Sequence, residues 1–275
     1  MTQPTLLLND GSRMPQLGLG TWQIPEEKTA TAVSTALAAG YRLIDTASIY
    51  GNETGVGDGI LLSCVPREEI FVTTKLWNSF QGHDEVLRAC DESLRRLRLD
   101  YVDLYLIHWP MPRQDRYVES WRALITLKNE GRVRSIGVSN FQIPHLQRLM
   151  AETGVIPSVN QIELHPYFQQ RFLRLFHARH KIVTESWSPL GQGRVLRNEQ
   201  VLRIAQKHQR TAAQVVLRWH LDNCMVAIPK SVSPERIRNN FNAFDFQLDA
   251  EDMTLLNDFD NPKGRIGPDP DTVDF

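Results

Sequence analysis

The sequence predicts an α/β fold, a (β/α)8 or TIM barrel preceded by a β-hairpin and followed by a short C-terminal tail. Three observations carry this. Short apolar runs recur eight times, at residues 17–20, 42–44, 70–74, 102–107, 135–138, 159–162, 182–184 and 225–228. Amphipathic stretches such as "EEKTATAVSTALAAG", "HDEVLRACDESLRRLRLD" and "YVESWRALITLKNEG" lie between them. Strand thus alternates with helix, which implies parallel strands joined by right-handed crossovers. The length of 275 residues suits one such barrel. No linker or low-complexity segment divides the chain, so residues 1–275 read as a single domain.

Taken in order, "TLLLNDGSRMPQLG" predicts a hairpin turning at Asn9-Asp10-Gly11. The second run leads to Asp45 and, five residues on, to Tyr50 in "DTASIYGN". Lys75 follows the third run in "FVTTKLW", and His108 ends the fourth in "VDLYLIHWP". Glu163 and Glu185 stand at the exits of the sixth and seventh runs. Between those two, "HARH" spaces His177 and His180 at i,i+3, but no third metal ligand is evident, so they read as surface histidines. After the eighth run, "IPKSVSPERIRNN" places Lys230 and Ser231 before a helix capped by Ser233, with Pro234 at its first position. Helix N-termini attract anions, and Lys230 with Arg236 adds two cations where a phosphate could sit. A last helix, capped by Asp249, precedes a Pro/Gly-rich tail.

Composition narrows the functional classes. At 41% hydrophobic, 23% charged and net charge -1, nothing favours nucleic acid or an anionic membrane as partner. The apolar runs fall well short of the roughly 20 residues of a membrane span. The N-terminal stretch lacks a basic region and a cleavage site, so no export signal is read. Cys64, Cys90 and Cys224 are scattered and form no CxxC pair, as expected of a cytoplasmic protein without disulfides or structural zinc. The glycines of "GLGTW" and "VGDGI" do not complete GxGxxG, which argues against a doubly wound dinucleotide domain but leaves a nicotinamide cofactor open.

In a barrel, chemistry gathers at the carboxyl ends of the strands. Alone, each of Asp45, Tyr50, Lys75 and His108 has an ordinary structural reading: a cap, an amphipathic core residue, a snorkelling amine, a satisfied imidazole. All four falling in phase at three adjacent strand ends make a site. A phenol with a pKa of about 10 holds its proton at neutral pH and can donate it to a developing alkoxide. A neighbouring ammonium is expected to draw that pKa down toward the working range. The carboxylate keeps the lysine charged, and a neutral imidazole orients a carbonyl. Such a quartet protonates an oxygen and needs a hydride source. The competing pair, Glu163 and Glu185, could serve glycoside hydrolysis, but would leave the quartet and the basic helix unexplained.

The chain resembles the aldo-keto reductases. "GYRLIDTASIYGNETGVG", "LYLIHWP", "IGVSNF", "NQIELHP" and "IPKSVSPERIRNN" occur in that family's order, over nearly the whole chain. Within the family, "QIELHPYFQQR", "ESWSPLGQG", "LRWHLDN" and the short tail most resemble the bacterial 2,5-diketo-D-gluconate reductase A group. The resemblance implies a catalytic tetrad of Tyr50 as proton donor with Asp45, Lys75 and His108. It implies NADPH held over the barrel mouth by Thr21, Trp22, Asp45, Ser139, Asn140, Gln161, Trp187, Ser188, Leu190, Gln192, Lys230, Ser231, Val232, Arg236 and Asn240. Of these, Ser139, Asn140 and Gln161 would meet the nicotinamide carboxamide and Trp187 would stack on the ring, where many relatives carry tyrosine. Lys230, Arg236 and Asn240 would meet the adenosine 2'-phosphate and adenine. Asn239 stands where many relatives have glutamate. Trp22, Ile49, Trp77 and Trp109, with His108, are expected to wall a pocket for a small ketone or aldehyde: 2,5-diketo-D-gluconate, methylglyoxal or a β-keto ester. The family leans toward monomers, and some of its relatives are non-catalytic NADPH-binding subunits.

Overall fold

In the computed structural model, which describes residues 3–275, the chain opens on an antiparallel hairpin of β1 (Thr5–Leu7) and β2 (Arg13–Pro15). It turns where expected. The backbone N–H of Leu8 donates to the Ser12 carbonyl at 2.8 Å, and Gly11 takes φ 91°. Leu8 and Met14 are buried with Leu43, Phe71, Leu104 and Val159, so the hairpin seals the N-terminal end of the barrel.

Eight parallel strands follow in sequence order: β3 (Gly18–Gly20), β4 (Leu43–Asp45), β5 (Phe71–Leu76), β6 (Val102–Ile107), β7 (Val133–Ser139), β8 (Val159–Glu163), β9 (Val183–Trp187) and β10 (Val226–Ala227). Leu17 bridges Ala227, and the amide of Gly20 reaches the Pro229 carbonyl at 3.2 Å, which joins first strand to last. Only glycine fits this seam: a Cβ on Gly18 would lie 2.5 Å from Leu43 Cγ, and one on Gly20 would lie 2.7 Å from the Ile228 carbonyl.

Among the described residues, ten helices surround the strands: α1 (Glu26–Ala38), α2 (Glu53–Leu62), α3 (His83–Leu97), α4 (Tyr117–Asn129), α5 (Ile143–Thr153), α6 (Arg171–His180), α7 (Glu199–His208), α8 (Ala212–Asp222), α9 (Pro234–Phe241) and α10 (Ala250–Asn257). The predicted caps are in place. Asp249 accepts from the Asp252 amide at 2.9 Å, and Ser233 accepts from that of Arg236 at 3.4 Å.

Strand periodicity sorts the side chains into two shells. Phe71, Leu104, Leu106, Val159 and Val226 point into the barrel, while Val72, Leu76, Tyr105, Ile107 and Val138 face the helices. Lys75 belongs to the inner set. It lies within β5, paired with Leu106, and does not follow the strand as expected, because the ladder continues to Leu76. Glu185 is likewise mid-strand: β9 runs on to Trp187, three residues beyond the apolar run.

His177 corrects the expectation of a surface histidine. It is buried between α6 and the outer face of β8 and β9, where Asn160 Nδ2 donates to its Nε2 and its Nδ1 meets Thr184 Oγ1, both at 2.9 Å. Its partners come from β8 and β9, which the local "HARH" pattern cannot reveal. Burial pushes the pKa of His177 down to about 3, and does the same to His220, which reaches the Pro189 carbonyl at 3.1 Å. Both imidazoles are therefore neutral when folded and take up protons more readily when unfolded. Their stabilising effect is complete above the ordinary histidine value and is lost as pH falls from about 6.5 toward 3. We expect each to cost roughly 1.4 kcal/mol by pH 5.5 relative to pH 8, measured by urea unfolding. His177→Gln should flatten part of that slope.

Candidate active site

Two inner-facing positions at the C-terminal end of the barrel, Asp45 on β4 and Lys75 on β5, carry the charged part of the site. Lys75 Nζ donates to Asp45 Oδ1 at 2.6 Å and to the Thr46 carbonyl at 2.8 Å, both groups fully enclosed. Burial alone would strip Lys75 of its proton, but Asp45 and the Tyr50 phenol raise its pKa above the ordinary lysine value. Tyr50 lies on a short 3-10 turn, Ser48–Tyr50, with the Lys75 ammonium 5.2 Å from its ring centre. His108, just past β6, meets the Tyr50 ring edge to face at 5.7 Å. The four predicted residues thus converge on one point.

The phenol's net pKa departs from the sequence-based expectation. Burial outweighs Lys75, and Asp45 and Glu185 add to it, so Tyr50 is held above its ordinary value. Lys75 still pulls it downward, as expected of an adjacent cation. Burial and the same ammonium push His108 well below its ordinary value, so its imidazole is neutral. Its Nδ1 is enclosed without a partner.

Residues beyond the four hold them. Asn52 accepts from Thr46 Oγ1 at 3.0 Å and donates to the carbonyls of Thr21 and Ile24, which pins the Tyr50 turn to the loop after β3. Gln161 Nε2 donates at 2.8 Å to both Asp45 Oδ2 and Glu185 Oε2. Sequence reading had no signal for Asn52, since a lone polar residue after a turn is common.

An aromatic surface surrounds the mouth. Trp187, at the end of β9, is half-buried, and its Nε1 donates to Asn140 Oδ1 at 2.8 Å. Asn140 Nδ2 in turn donates to the His108 carbonyl at 2.9 Å and to Ser139 Oγ at 3.1 Å. Trp77 packs edge to face on His108 at 5.3 Å. Phe275 stacks on Trp77 at 5.7 Å and meets Trp109 edge to face at 5.6 Å. Trp22 and Ile49 are exposed at the rim.

The tail is anchored by Glu163, which accepts from the amides of Ile266 at 2.6 Å and Gly267 at 2.7 Å, and lies 3.1 Å from His165 Nε2. A Cβ on Gly267 would lie 2.5 Å from the Trp187 ring, so glycine lets the tail lie against it. Glu163 therefore holds the tail, and Glu185 is sealed inside the barrel. Neither carboxyl faces a substrate.

Residues 16–261 match the model of the aldo/keto reductase family. The chain is 56% identical over 271 residues to methylglyoxal reductase DkgA of Yersinia pestis, covering 98% of this chain and 97% of that protein. It is 54% identical over 274 residues to methylglyoxal reductase DkgA of Escherichia coli (strain K12), covering 98% of each. The crystal structure of Gox0644 in its apo form superposes with a TM-score of 0.96 at 56% identity, covering all of both chains. A mutant of Gox0644 in complex with NADPH gives a TM-score of 0.97 at 55% identity, again over all of both chains. The chain belongs to the aldo/keto reductase family.

In this aldo/keto reductase the remaining predicted residues fall into two groups. Ser139, Asn140, Gln161 and Trp187 lie together at the mouth. Lys230, Val232 and Arg236 are exposed on and just before α9, with Ser231 and Asn240 buried beside them. Among the described residues, neither Lys230 nor Arg236 has an acidic partner. The loop between the two groups passes through left-handed backbone at Ser188 and Gln192, with Leu190 half-buried between them. Thr21 is fully buried, and its amide and hydroxyl both bond the Asp45 carbonyl, at 2.9 and 3.1 Å. Its side chain braces the site from within.

Proposed function

We propose that this chain reduces small ketones and aldehydes to alcohols with NADPH, Tyr50 giving the proton to the carbonyl oxygen. The convergence of the Tyr50 phenol, the Asp45-paired Lys75 ammonium and the neutral His108 imidazole carries this reading. NADPH supplies the hydride when bound. The chain fits that cofactor: Trp187 offers a flat face at the mouth, Ser139, Asn140 and Gln161 offer polar atoms beside it, and Lys230 with Arg236 is unpaired near the N-terminus of α9. The relative solved with NADPH supports the same reading.

The roles of the chain's own groups follow from their environments. Tyr50, held above its ordinary pKa, keeps its proton at neutral pH, and an alkoxide is a far stronger base that can take it. Lys75, charged because Asp45 pairs with it, stabilises the phenolate left behind. Neutral His108, with its proton on Nε2, donates to the carbonyl oxygen and sets its direction. Trp22, Ile49, Trp77 and Trp109 exclude water around the reacting carbon.

The mostly apolar walls suit a compact, uncharged dicarbonyl, and the relatives named methylglyoxal reductases support methylglyoxal as a substrate. 2,5-Diketo-D-gluconate and β-keto esters complete the panel. NADPH oxidation measured with each carbonyl tests the reading: turnover of at least one is expected. Binding of NADPH with no turnover across the panel would instead support a non-catalytic subunit.

Cofactor choice gives a separate test. Arg236→Ala removes a cation assigned to the 2'-phosphate, so NADPH should bind about 10–100-fold more weakly, as for one charge-assisted hydrogen bond. NADH, which lacks that phosphate, should be nearly unaffected. Equal losses for both cofactors in fluorescence titration would contradict the assignment.

A further inference from the structure

One ionisable group in the barrel is left without a part in this chemistry. Glu185, midway along β9, is fully buried on the inner face between Val183 below and Trp187 above. A carboxyl there is costly to enclose, and its Oε1 has no hydrogen-bond partner. Its Oε2 accepts from Gln161 Nε2 at 2.8 Å, and the same nitrogen donates to Asp45 Oδ2 at 2.8 Å. An amide nitrogen has two hydrogens. Both are taken, one by each carboxyl group, and the geometry admits only one orientation of the amide. With Asp45 alone below it, the Gln161 amide would keep one hydrogen on that carboxylate and lose the second anchor that stops it swinging about the first.

We propose that Glu185 is a positioning residue: it fixes the Gln161 amide with both hydrogens turned inward, so that Gln161 Oε1 is left to receive the nicotinamide end of the cofactor. This rests on the reading of the mouth as an NADPH site. The charged and titratable groups facing Glu185 are Asp45 from β4, Lys75 from β5 and Tyr50 above them. Gln161 faces it from β8, and Val226 on β10 is apolar. Burial and the nearby Asp45 push the Glu185 carboxyl up to about 8. At neutral pH it is therefore protonated, with the hydrogen on its own Oε1, and its Oε2 remains free to accept from Gln161. Above that pH, a second negative charge joins Asp45 beneath the phenol. Tyr50 then holds its proton more tightly and becomes a weaker acid.

Wild type, Glu185→Gln, Glu185→Val and Gln161→Ala are compared by fluorescence titration with NADPH, by competition with 2',5'-ADP, and by kcat from pH 6 to 10. Glu185→Val should raise the NADPH Kd about tenfold at pH 7, as expected for loss of one orienting hydrogen bond. Its Kd for 2',5'-ADP, which lacks the nicotinamide end, should stay unchanged. Glu185→Gln mimics the protonated acid. It should bind NADPH within about twofold of wild type and lack the decline in kcat expected of wild type above pH 8. The proposal is overturned if Glu185→Val binds NADPH like wild type while Gln161→Ala does not. It is equally overturned if Glu185→Gln keeps the alkaline decline, a readout that holds even where Glu185→Val fails to fold. If Gln161→Ala also binds NADPH like wild type, the placement of nicotinamide fails, and this inference with it.

Discussion

Tyr50→Phe is expected to lower kcat for carbonyl reduction by about 10²–10⁴, the usual range for loss of a general acid. The change removes one hydroxyl and leaves the ring, with its edge-to-face contact on His108 at 5.7 Å. Lys75 keeps Asp45 and the Thr46 carbonyl as partners, so the pair beneath the phenol does not rearrange. NADPH affinity should change by less than about twofold, because no group assigned to the cofactor depends on the lost hydroxyl. The measurements are steady-state kcat and fluorescence titration on the same preparation. A variant that turns over like wild type would remove Tyr50 from its role. One that loses NADPH binding as well would point to a collapsed mouth. In wild type, burial raises the phenol's pKa, so ionisation of the donor itself should not limit reduction anywhere between pH 6 and its ordinary value of 10.0.

The barrel was legible because parallel strands covered on both faces read as continuous apolar runs. The four groups of the candidate site were legible for a related reason: a polar residue at the end of such a run has few structural purposes. What the runs hid was their own length. Lys75 and Glu185 both fall inside strands, because an inward polar residue ends an apolar run without ending the hydrogen-bonded ladder. That truncation made Glu185 read as a strand-exit residue when it is sealed mid-strand below Trp187. His177 was misplaced because its partners, Asn160 and Thr184, lie on two strands that approach it only in the folded barrel. The tail carries no periodicity, so nothing in its sequence signals that Ile266 and Gly267 bind Glu163 or that Phe275 reaches Trp77. The direction of the Tyr50 shift depends on burial, with Asp45 and Glu185, set against the Lys75 ammonium, a balance that residue order does not contain.

The site is also layered in a way that separates two demands. Asp45, Lys75, Gln161 and Glu185 form a buried polar tier over an apolar barrel floor of Leu43, Phe71, Leu104 and Val159. Above them, Tyr50, His108, Trp77 and Trp187 face the mouth. The lower tier fixes charge and orientation at low exposure, where electrostatic interactions are least screened. The upper tier needs only modest polarity because the tier beneath has set its electrostatics.

Lys75→Met tests how strongly the tiers are coupled. Without the ammonium, Asp45 keeps Gln161 as its side-chain donor in a site that is 2% exposed. Breaking a buried ion pair by removing one partner typically costs about 3–5 kcal/mol. Burial already raises the Asp45 pKa against the pull of Lys75, and removing that pull raises it further. An acid whose folded pKa is raised loses stability as pH climbs from its unfolded value through its folded one. The deficit should therefore be only about 1–2 kcal/mol at pH 5 and reach about 3–5 kcal/mol by pH 8, read from urea unfolding. Asp45→Asn/Lys75→Met removes both charges and keeps an acceptor for Gln161, so most of the stability should return and its pH dependence should vanish. Turnover should not return in either variant, since no cation remains to stabilise the phenolate of Tyr50. A single variant with a pH-independent deficit would show that Asp45 does not depend on Lys75 for its charge. A double variant that regained turnover would mean that the ammonium acts only as a structural partner.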